Sequence, residues 1–498
     1  MKLEIMKDRQ SLGDTPPEEF RKQLHELADW IADFRQHIDE LRVAPNPAVA
    51  GPGAIRARLP KQAPEQGEPF DKILSDVNGL IVPGMVHWSH PMFLGYFGWT
   101  ATGPGILGEI LSVPLNVNAM TWRTCPAATE LETVIINWLR QWVGLPDEFG
   151  GVVYDTASVG IMHALAVARE EAAPSTRKLG LTSRDLPRFR IYTSDQAHSA
   201  AEKAAIALGI GEENVIRVPS DDEFRMDVDS LGHSISQDRQ KGFRPIAVVA
   251  TVGTTSTASV DPIAEIARIC QNEKMWLHID AAYGGGFAMV SEYEWISKGW
   301  DVADSIVINP HKTVFVPLDF SVLYVRGLER LRRVFTLVPE VLRGDTIEGE
   351  KNYMDYGIQL GRRFRALKAW VIWRSLGRFG VVARLREQIR LAHLLAEWTK
   401  EDNRFELSAP VSMGVVCFRF VAGIGDAGPG SPTPATARDL DKLNSAIVER
   451  VNASGRAYLT QTKLRGRTVM RIGLGNVLTT EEHLRKGWKI IQETAGAV

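Results

Sequence analysis

The chain is poor in cysteine: Cys125, Cys270 and Cys417 are the only three in 498 residues. Odd in number and far apart, they exclude a disulfide framework and a cysteine zinc site, and no metal is expected. They read as small buried hydrophobes in a reducing compartment. Charge of one sign is missing too. Lysine and arginine (58) nearly balance aspartate and glutamate (60), leaving a net −2. That is no footprint for nucleic acid or an anionic membrane. No run of about eighteen apolar residues occurs, so no membrane-spanning helix is expected. The opening MKLEIMKDRQ carries charges where a secretory signal needs an apolar core, and a cytoplasmic location is the expectation.

What is present is a globular composition, 44% hydrophobic and 24% charged, in a chain too long for one simple core. Thr15, Pro16 and Glu18 have the form of a capping box with proline opening a helix. Behind it Phe20, Leu24, Leu27, Ile31, Phe34, Ile38 and Leu41 follow a seven-residue repeat, which puts one narrow apolar stripe along the helix. The stripe either lies on its own domain or packs against a second subunit. The Pro-, Ala- and Gly-rich stretch 44–64 reads as a linker.

From about residue 100 to 370, short apolar runs alternate with amphipathic helices. A helix over 130–143 carries Leu131, Val134, Ile135, Trp138 and Trp142 on one face. The runs 246–252, 276–280 and 306–309 read as buried strands. Between the first two, Asp261-Pro262 caps a helix with Ile263, Ile266, Ile269 and Cys270 inward. This pattern predicts an α/β fold with a mostly parallel sheet under helices. A helix-rich stretch follows, then strand-like 414–421 and 468–472 and a final helix from Thr480, which make a small α+β domain. The expected division is a helical segment over 1–100, a large domain over 101–370 and a small one over 371–498. Gly423 to Gly428 fits GxGxxG, but the proline-rich run after it cannot open the helix that dinucleotide binding needs, so it reads as a surface loop.

Ligands of parallel sheets sit at the carboxyl ends of the strands, and three strands here end in polar residues. One ends at Asp280, followed by Ala281-Ala-Tyr-Gly-Gly-Gly286. One ends at Asn309-Pro-His-Lys312, and one in Gly253-Thr-Thr-Ser-Thr257. A lysine at the mouth of an apolar strand has its pKa pushed down, as a Schiff-base lysine requires. Singly, Asp280 is as well a helix cap, His278 a packed core histidine and Lys312 a solvated lysine. Together they suit a cofactor with a cationic ring nitrogen, an aldehyde and a phosphate.

The sequence resembles the pyridoxal 5′-phosphate (PLP) dependent group II decarboxylases of fold-type I, in particular the aromatic L-amino acid decarboxylase branch. The motifs that carry the resemblance are Asn309-Pro-His-Lys312, His278-Ile-Asp-Ala-Ala-Tyr283, Asp195-Gln-Ala-His198-Ser199, Pro126-Ala-Ala-Thr-Glu-Leu-Glu132 and Arg362-Arg-Phe-Arg365. It implies that Lys312 carries PLP as a Schiff base, that Asp280 pairs with the pyridine nitrogen, and that His198 stacks on the ring opposite Ala282. Thr156, Ala157 and Ser158 would meet the phosphate, with Asn309 and His311 completing the cradle and Thr255 near the lysine. A homodimer with shared sites is implied. Trp88, Tyr96 and Phe97 would line the amino acid pocket from one chain, and Asn118 and Met120 would reach in from the other.

The sequence also departs from the family pattern. Counting without a gap from Lys312, the tyrosine of the family's catalytic loop falls at Val341, and valine has no proton to give. Three readings follow: Tyr353, Tyr356, His198 or a water donates under a lid formed by 344–355; the unprotonated species reacts with oxygen to give an aldehyde, as in aromatic acetaldehyde synthases; or activity is residual. Asp155 beside the phosphate turn would repel a phosphate unless it points away. Gly98, Trp99 and Asn118 alter the pocket, and Gly361 leaves room for a bulky side chain. Two further readings are a PLP-fold dimer without catalysis and an aminotransferase, which would need an arginine for the substrate carboxylate. The sequence leaves open which amino acid is the substrate.

Overall fold

The computed structural model describes residues 14–99, 101–182, 184–337, 349–421 and 437–497. Val341 and the GxGxxG run 423–428 lie outside them. The first helix, α1 (Pro17–Gln36), begins one residue later than the capping pattern suggests. Its N-cap is Pro16 and no side chain caps it, because Pro17 takes the first turn, where a missing N–H costs nothing. The capping box is not formed. None of the residues of α1 is buried, and Phe20 and Leu24 are exposed. Residues 44–64 hold two short helices, Pro47–Ala50 and Ala54–Arg58.

The central sheet has seven strands: β1 (Phe149–Tyr154), β2 (Phe189–Ser194), β3 (Val215–Val218), β4 (Arg244–Thr251), β5 (Trp276–Asp280), β6 (Ser305–Ile308) and β7 (Ser321–Arg326), in the order β1-β7-β6-β5-β4-β2-β3. Strands β3, β2, β4, β5 and β6 pair in parallel, and β7 runs against β6 and β1. All five residues of β5 are buried, as a strand covered on both faces requires. Helices α2 (Gly103–Leu115), α3 (Pro126–Trp142), α4 (Ala157–Ala172), α5 (Ala200–Ala207), α6 (Val228–Gln240) and α7 (Ile263–Glu273) accompany it. Asp261 does not cap α7. Its carboxylate accepts the Thr251 and Met226 amides, each at 2.7 Å, and burial pushes its pKa up to about 7.

The inward face of α3 is broader than its hydrophobic pattern suggests: Ile135 is in the core with Leu131, Trp138 and Trp142 packed against it. Val134 is exposed, whereas Glu132 is buried with Ala128, Ile135, Ile136 and Leu139. The long helix α8 (Arg365–Glu401) breaks at Gly377, whose φ of 61° is left-handed. Beyond it β8 (Phe405–Leu407), β9 (Val415–Phe420), β10 (Thr460–Leu464) and β11 (Arg467–Gly473) form a four-stranded antiparallel sheet, flanked by α9 (Ala437–Ser454) and α10 (Glu481–Ala495). Strand alternation divides β9 between two cores. Val415 and Cys417 join the apolar cluster of the large sheet, while Val416 and Phe418 join a second cluster that also takes in Val43 and Met92–Leu94. The small sheet is thereby tied both to the large sheet and to the N-terminal segment.

Glycines 284–286 let the chain after β5 lie close over the sheet. A methyl group on Gly286 would stand 2.9 Å from Cβ of Thr313, so something must shift. We expect Gly286→Ala to lower stability by about 1–3 kcal/mol, read as a fall in the thermal midpoint. An unchanged midpoint would show that this packing yields freely.

Candidate active site

Strands β5 and β6 build the centre of the site. Asp280 ends β5 at 7% exposure, and its Oδ1 accepts the Ala282 amide at 3.1 Å. The Ala282 carbonyl accepts the Asn309 amide at 3.2 Å, which ties the mouth of β5 to that of β6. Pro310 then opens a single helical turn, Pro310–Thr313, that carries His311 and Lys312, since proline at a first turn is already shaped for it. Lys312 Nζ lies 5.3 Å from the ring centre of Phe97, which stacks on Tyr283 at 4.0 Å. Burial lowers the Lys312 pKa, the Asp280 carboxylate opposes that, and the Arg471 cation adds to it. The balance favours a neutral, nucleophilic amine.

His198 follows β2 and is exposed at the rim. Partial desolvation lowers its pKa, Asp280 opposes the shift and Lys312 reinforces it, so all three residues share one region. His311 is buried, which brings its pKa to about 3. Its Nδ1 accepts the Phe320 amide at 3.0 Å, and Trp99 packs edge-on 5.6 Å away. Trp99 in turn meets Trp88 at 4.9 Å, and Trp88 stacks on Tyr96 at 5.3 Å. The segment 88–99 is thus an aromatic lane running up to His311 and Lys312. Gly98 contributes no contour of its own, because its side-chain position faces the backbone of Asn476 at 3.1 Å.

The turn Thr156-Ala157-Ser158 opens α4 at the end of β1. Asp155 does not point away from it: its Oδ1 accepts the Thr156 amide at 2.7 Å, with Thr156 Oγ1 at 3.4 Å. The carboxylate therefore occupies a position that an anion at this helix start would seek. Thr255 is exposed, and its carbonyl accepts from Arg471 Nε at 2.9 Å. Asn118, Met120 and Gly361 form a separate group. Asn118 Oδ1 accepts the Arg362 amide at 2.9 Å and the Met120 carbonyl accepts the Met354 amide at 3.1 Å, and no described contact joins the three to Lys312. The two tyrosines considered as proton donors are engaged elsewhere. Tyr353 is buried with its hydroxyl 2.9 Å from Thr133 Oγ1. Tyr356 is buried too, its hydroxyl 3.5 Å from Glu329 and its pKa pushed up to about 12.

Sequence reasoning missed Arg471 on β11. It is 4% exposed, bridges the carbonyls of Tyr96, Thr255 and Ser256, and lies 4.8 Å over the Phe97 ring. Its Nη2 is buried without a hydrogen-bond partner among the described residues. The available signal was an inward-facing arginine on a strand of otherwise apolar inward residues. With Tyr96, Phe97, Thr255 and Ser256 it walls a cavity of about 400 Å³. A cavity of about 490 Å³ beside Glu223, Arg225, Asp261 and Trp295 shares none of these residues.

A parallel sheet that gathers a buried amine, a carboxylate and a histidine at its strand ends defines a fold-type I PLP enzyme. The fit to that cofactor also shows in Asn309, 3% exposed, whose Oδ1 is buried with no hydrogen-bond partner among the described residues. Such an atom is costly unless a group from outside meets it. The pyridoxal-dependent decarboxylase conserved domain matches residues 52–421, and the chain belongs to that family: it is a PLP-dependent carboxy-lyase acting on an amino acid. It is 35% identical over 501 residues to tyrosine decarboxylase 1 of Narcissus pseudonarcissus, covering 98% of this chain and 94% of that one. It is 34% identical to a phenylacetaldehyde synthase of a Rosa hybrid cultivar, covering 97% and 95%. The solved structure of Oryza sativa TDC with PLP and tryptamine superposes with a TM-score of 0.91 at 31% identity, covering 98% and 99%.

Proposed function

We propose that this enzyme decarboxylates an aromatic L-amino acid to its amine. The observation that carries the reading is the aromatic lane Trp88–Tyr96–Trp99 leading to Lys312 and His311, with relatives named for tyrosine decarboxylation beside it. When bound, PLP supplies an electron sink for the pair left at the α-carbon as CO₂ departs. Lys312 holds the cofactor through its amine. Asp280 keeps a proton on the ring nitrogen, and the small Ala282 lets one ring face approach while His198 covers the other. Asn309 and His311 hold the phosphate, Thr156, Ala157 and Ser158 join them once the Asp155 carboxylate gives up the Thr156 amide, and Thr255 lies near the lysine. The lane orients the substrate side chain and excludes water.

The enzyme acts as a homodimer in this reading. Leu107, Leu111, Val113 and Leu115 of α2 are exposed, as are Phe20 and Leu24 of α1, and patches of that size in a single chain mark a contact surface. Asn118, Met120 and Gly361 then serve the second chain's site. We keep the division into 1–100, 101–370 and 371–498 as one of chain order; the two apolar clusters cross its bounds, the second joining Val43 and Met92–Leu94 to the small sheet. Three unpaired, buried cysteines suit the cytoplasm.

A second reading is favoured by Val341 and by the engaged hydroxyls of Tyr353 and Tyr356. Without a proton for the α-carbon, the electron pair passes to oxygen. O₂ and water are then consumed, and aldehyde, CO₂, ammonia and hydrogen peroxide are released. The test is incubation of the PLP-loaded enzyme in air with L-Trp, L-Tyr, L-Phe and L-Dopa, scoring all products. Amine without peroxide is the expected result, and aldehyde with equimolar peroxide would install the second reading. In either case Val341→Tyr is expected to raise the amine-to-aldehyde ratio by about 10²-fold, the scale of a restored general acid. An unmoved ratio would mean that position 341 does not serve the site.

A further inference from the structure

His278 lies two residues before Asp280 on β5, so both side chains leave the same face of the sheet. Its register partner on β6 is Ser305. Ser305 Oγ lies 2.8 Å from Trp276 Nε1 and 2.8 Å from His278 Nδ1. An indole N–H can only donate, so Ser305 Oγ accepts from Trp276, and its own hydroxyl hydrogen remains available for His278 Nδ1. Donation there places the ring proton on Nε2. The ring is fully buried, and Nε2 has no hydrogen-bond partner among the described residues. Among the described residues Asp280 is the one charge that acts on it. Across the sheet, Thr251 on β4 is the register partner of Asp280, and its hydroxyl too is buried without a partner. Two unsatisfied polar groups therefore flank the same carboxylate, one along the strand and one beside it.

We propose that His278 is a positioning residue for Asp280: Ser305 fixes its ring with the proton on Nε2, and this N–H dipole holds the Asp280 carboxylate in place for the cofactor's ring nitrogen. The inference rests on the reading of Asp280 as the partner of that nitrogen. Burial brings the ring to a pKa of about 4, so it is neutral at physiological pH and acts as a dipole, not as a cation. A buried donor left without an acceptor is destabilising. In a low-dielectric interior the same donor steadies a neighbouring negative charge.

The tests combine one measurement on the apo-enzyme with a variant series. In ¹⁵N-histidine NMR of the PLP-free protein, His278 is expected to show a protonated Nε2 and an unprotonated Nδ1, unchanged across about pH 6 to 8. His278→Phe removes the donor and keeps a buried ring. We expect its apo-form to melt as high as the parent, its PLP dissociation constant to rise about tenfold, equivalent to about 1.4 kcal/mol, and its kcat to fall with KM little changed. His278→Gln, which restores an N–H, should recover most of both losses, and a purely structural role would not be rescued in this way. An Nδ1–H tautomer, or parental PLP affinity in His278→Phe, would overturn the proposal. Asp280→Asn separates the two levels. If it loses PLP affinity and turnover while His278→Phe does not, only the role of His278 is wrong; if it loses neither, the reading of Asp280 is wrong and this inference falls with it.

Discussion

Replacing Lys312 with alanine is expected to lower kcat by about 10⁴-fold or more, the scale on which removal of a covalent catalytic group is felt. Its amine lies 5.3 Å from the centre of the Phe97 ring and within the influence of the Asp280 carboxylate and the Arg471 cation. The prediction has a pH arm. Burial comes first among the influences on Lys312 and lowers its pKa from the ordinary 10.5, Asp280 opposes, and Arg471 lowers it further. Between the lowered value and 10.5 the unfolded chain binds the proton that the folded chain has released. Stability of the PLP-free protein therefore rises with pH over that window, and so does the rate at which the neutral amine captures PLP. Stopped-flow absorbance against pH should show a midpoint below 10.5. Arg471→Gln should move that midpoint upward, and an unmoved midpoint would remove Arg471 from the account. Full activity in Lys312→Ala would remove Lys312 itself.

The second large effect is on the fold. Arg362 Nη2 meets Glu132 Oε1 at 2.6 Å with both side chains almost wholly buried. Glu132 Oε1 also accepts the Val153 amide at 3.1 Å, and Arg362 donates to the carbonyls of Val153 at 2.9 Å and Ala119 at 3.2 Å. The pair thus pins α3, the middle of β1 and the Asn118–Met120 segment to the start of α8. Removing one partner strands a buried charge, and Glu132→Leu or Arg362→Met should each cost about 3–5 kcal/mol. The double replacement is expected to recover much of that loss, because neither charge is then left alone in the core. Denaturant midpoints of the four proteins close the cycle. Additive losses would show that the two residues do not act as a pair. Activity should fall beyond the loss of folded protein in the single variants, since the segment they hold is the one proposed to serve the second chain's site.

Legibility in the sequence followed the range of the interactions. The strands ending at Asp280 and before Asn309 were readable because a strand buried on both faces is a short apolar run, and a polar residue at its end stands out. The burial of Glu132 on α3 was not readable because a carboxylate breaks the hydrophobic pattern, and its partner Arg362 is distant in the chain. Two of the motifs behind the family resemblance, those at 126–132 and 362–365, meet in that ion pair. The helical start at Pro17 and the turning of the Asp261 carboxylate to the Thr251 and Met226 amides were missed for a local reason: a cap is decided by where the backbone turns, and residue type alone does not tell.

By itself, the sequence determined the alternation of elements and the lysine and carboxylate at strand ends; the family resemblance added that Val341 falls where a tyrosine is expected. These are one-dimensional facts, set by periodicity and by single residues whose chemistry does not depend on neighbours. Tertiary structure alone decided that Arg471 of the small sheet leans on Phe97 beside Lys312, that Asp155 turns onto its own helix start, and that Tyr353 and Tyr356 spend their hydroxyls elsewhere. It also decided that Ser305 sets the ring of His278 under Asp280. Each of these depends on side chains from separate segments meeting in a buried space, where direction and desolvation, and not residue type, determine which group donates and which is left to act.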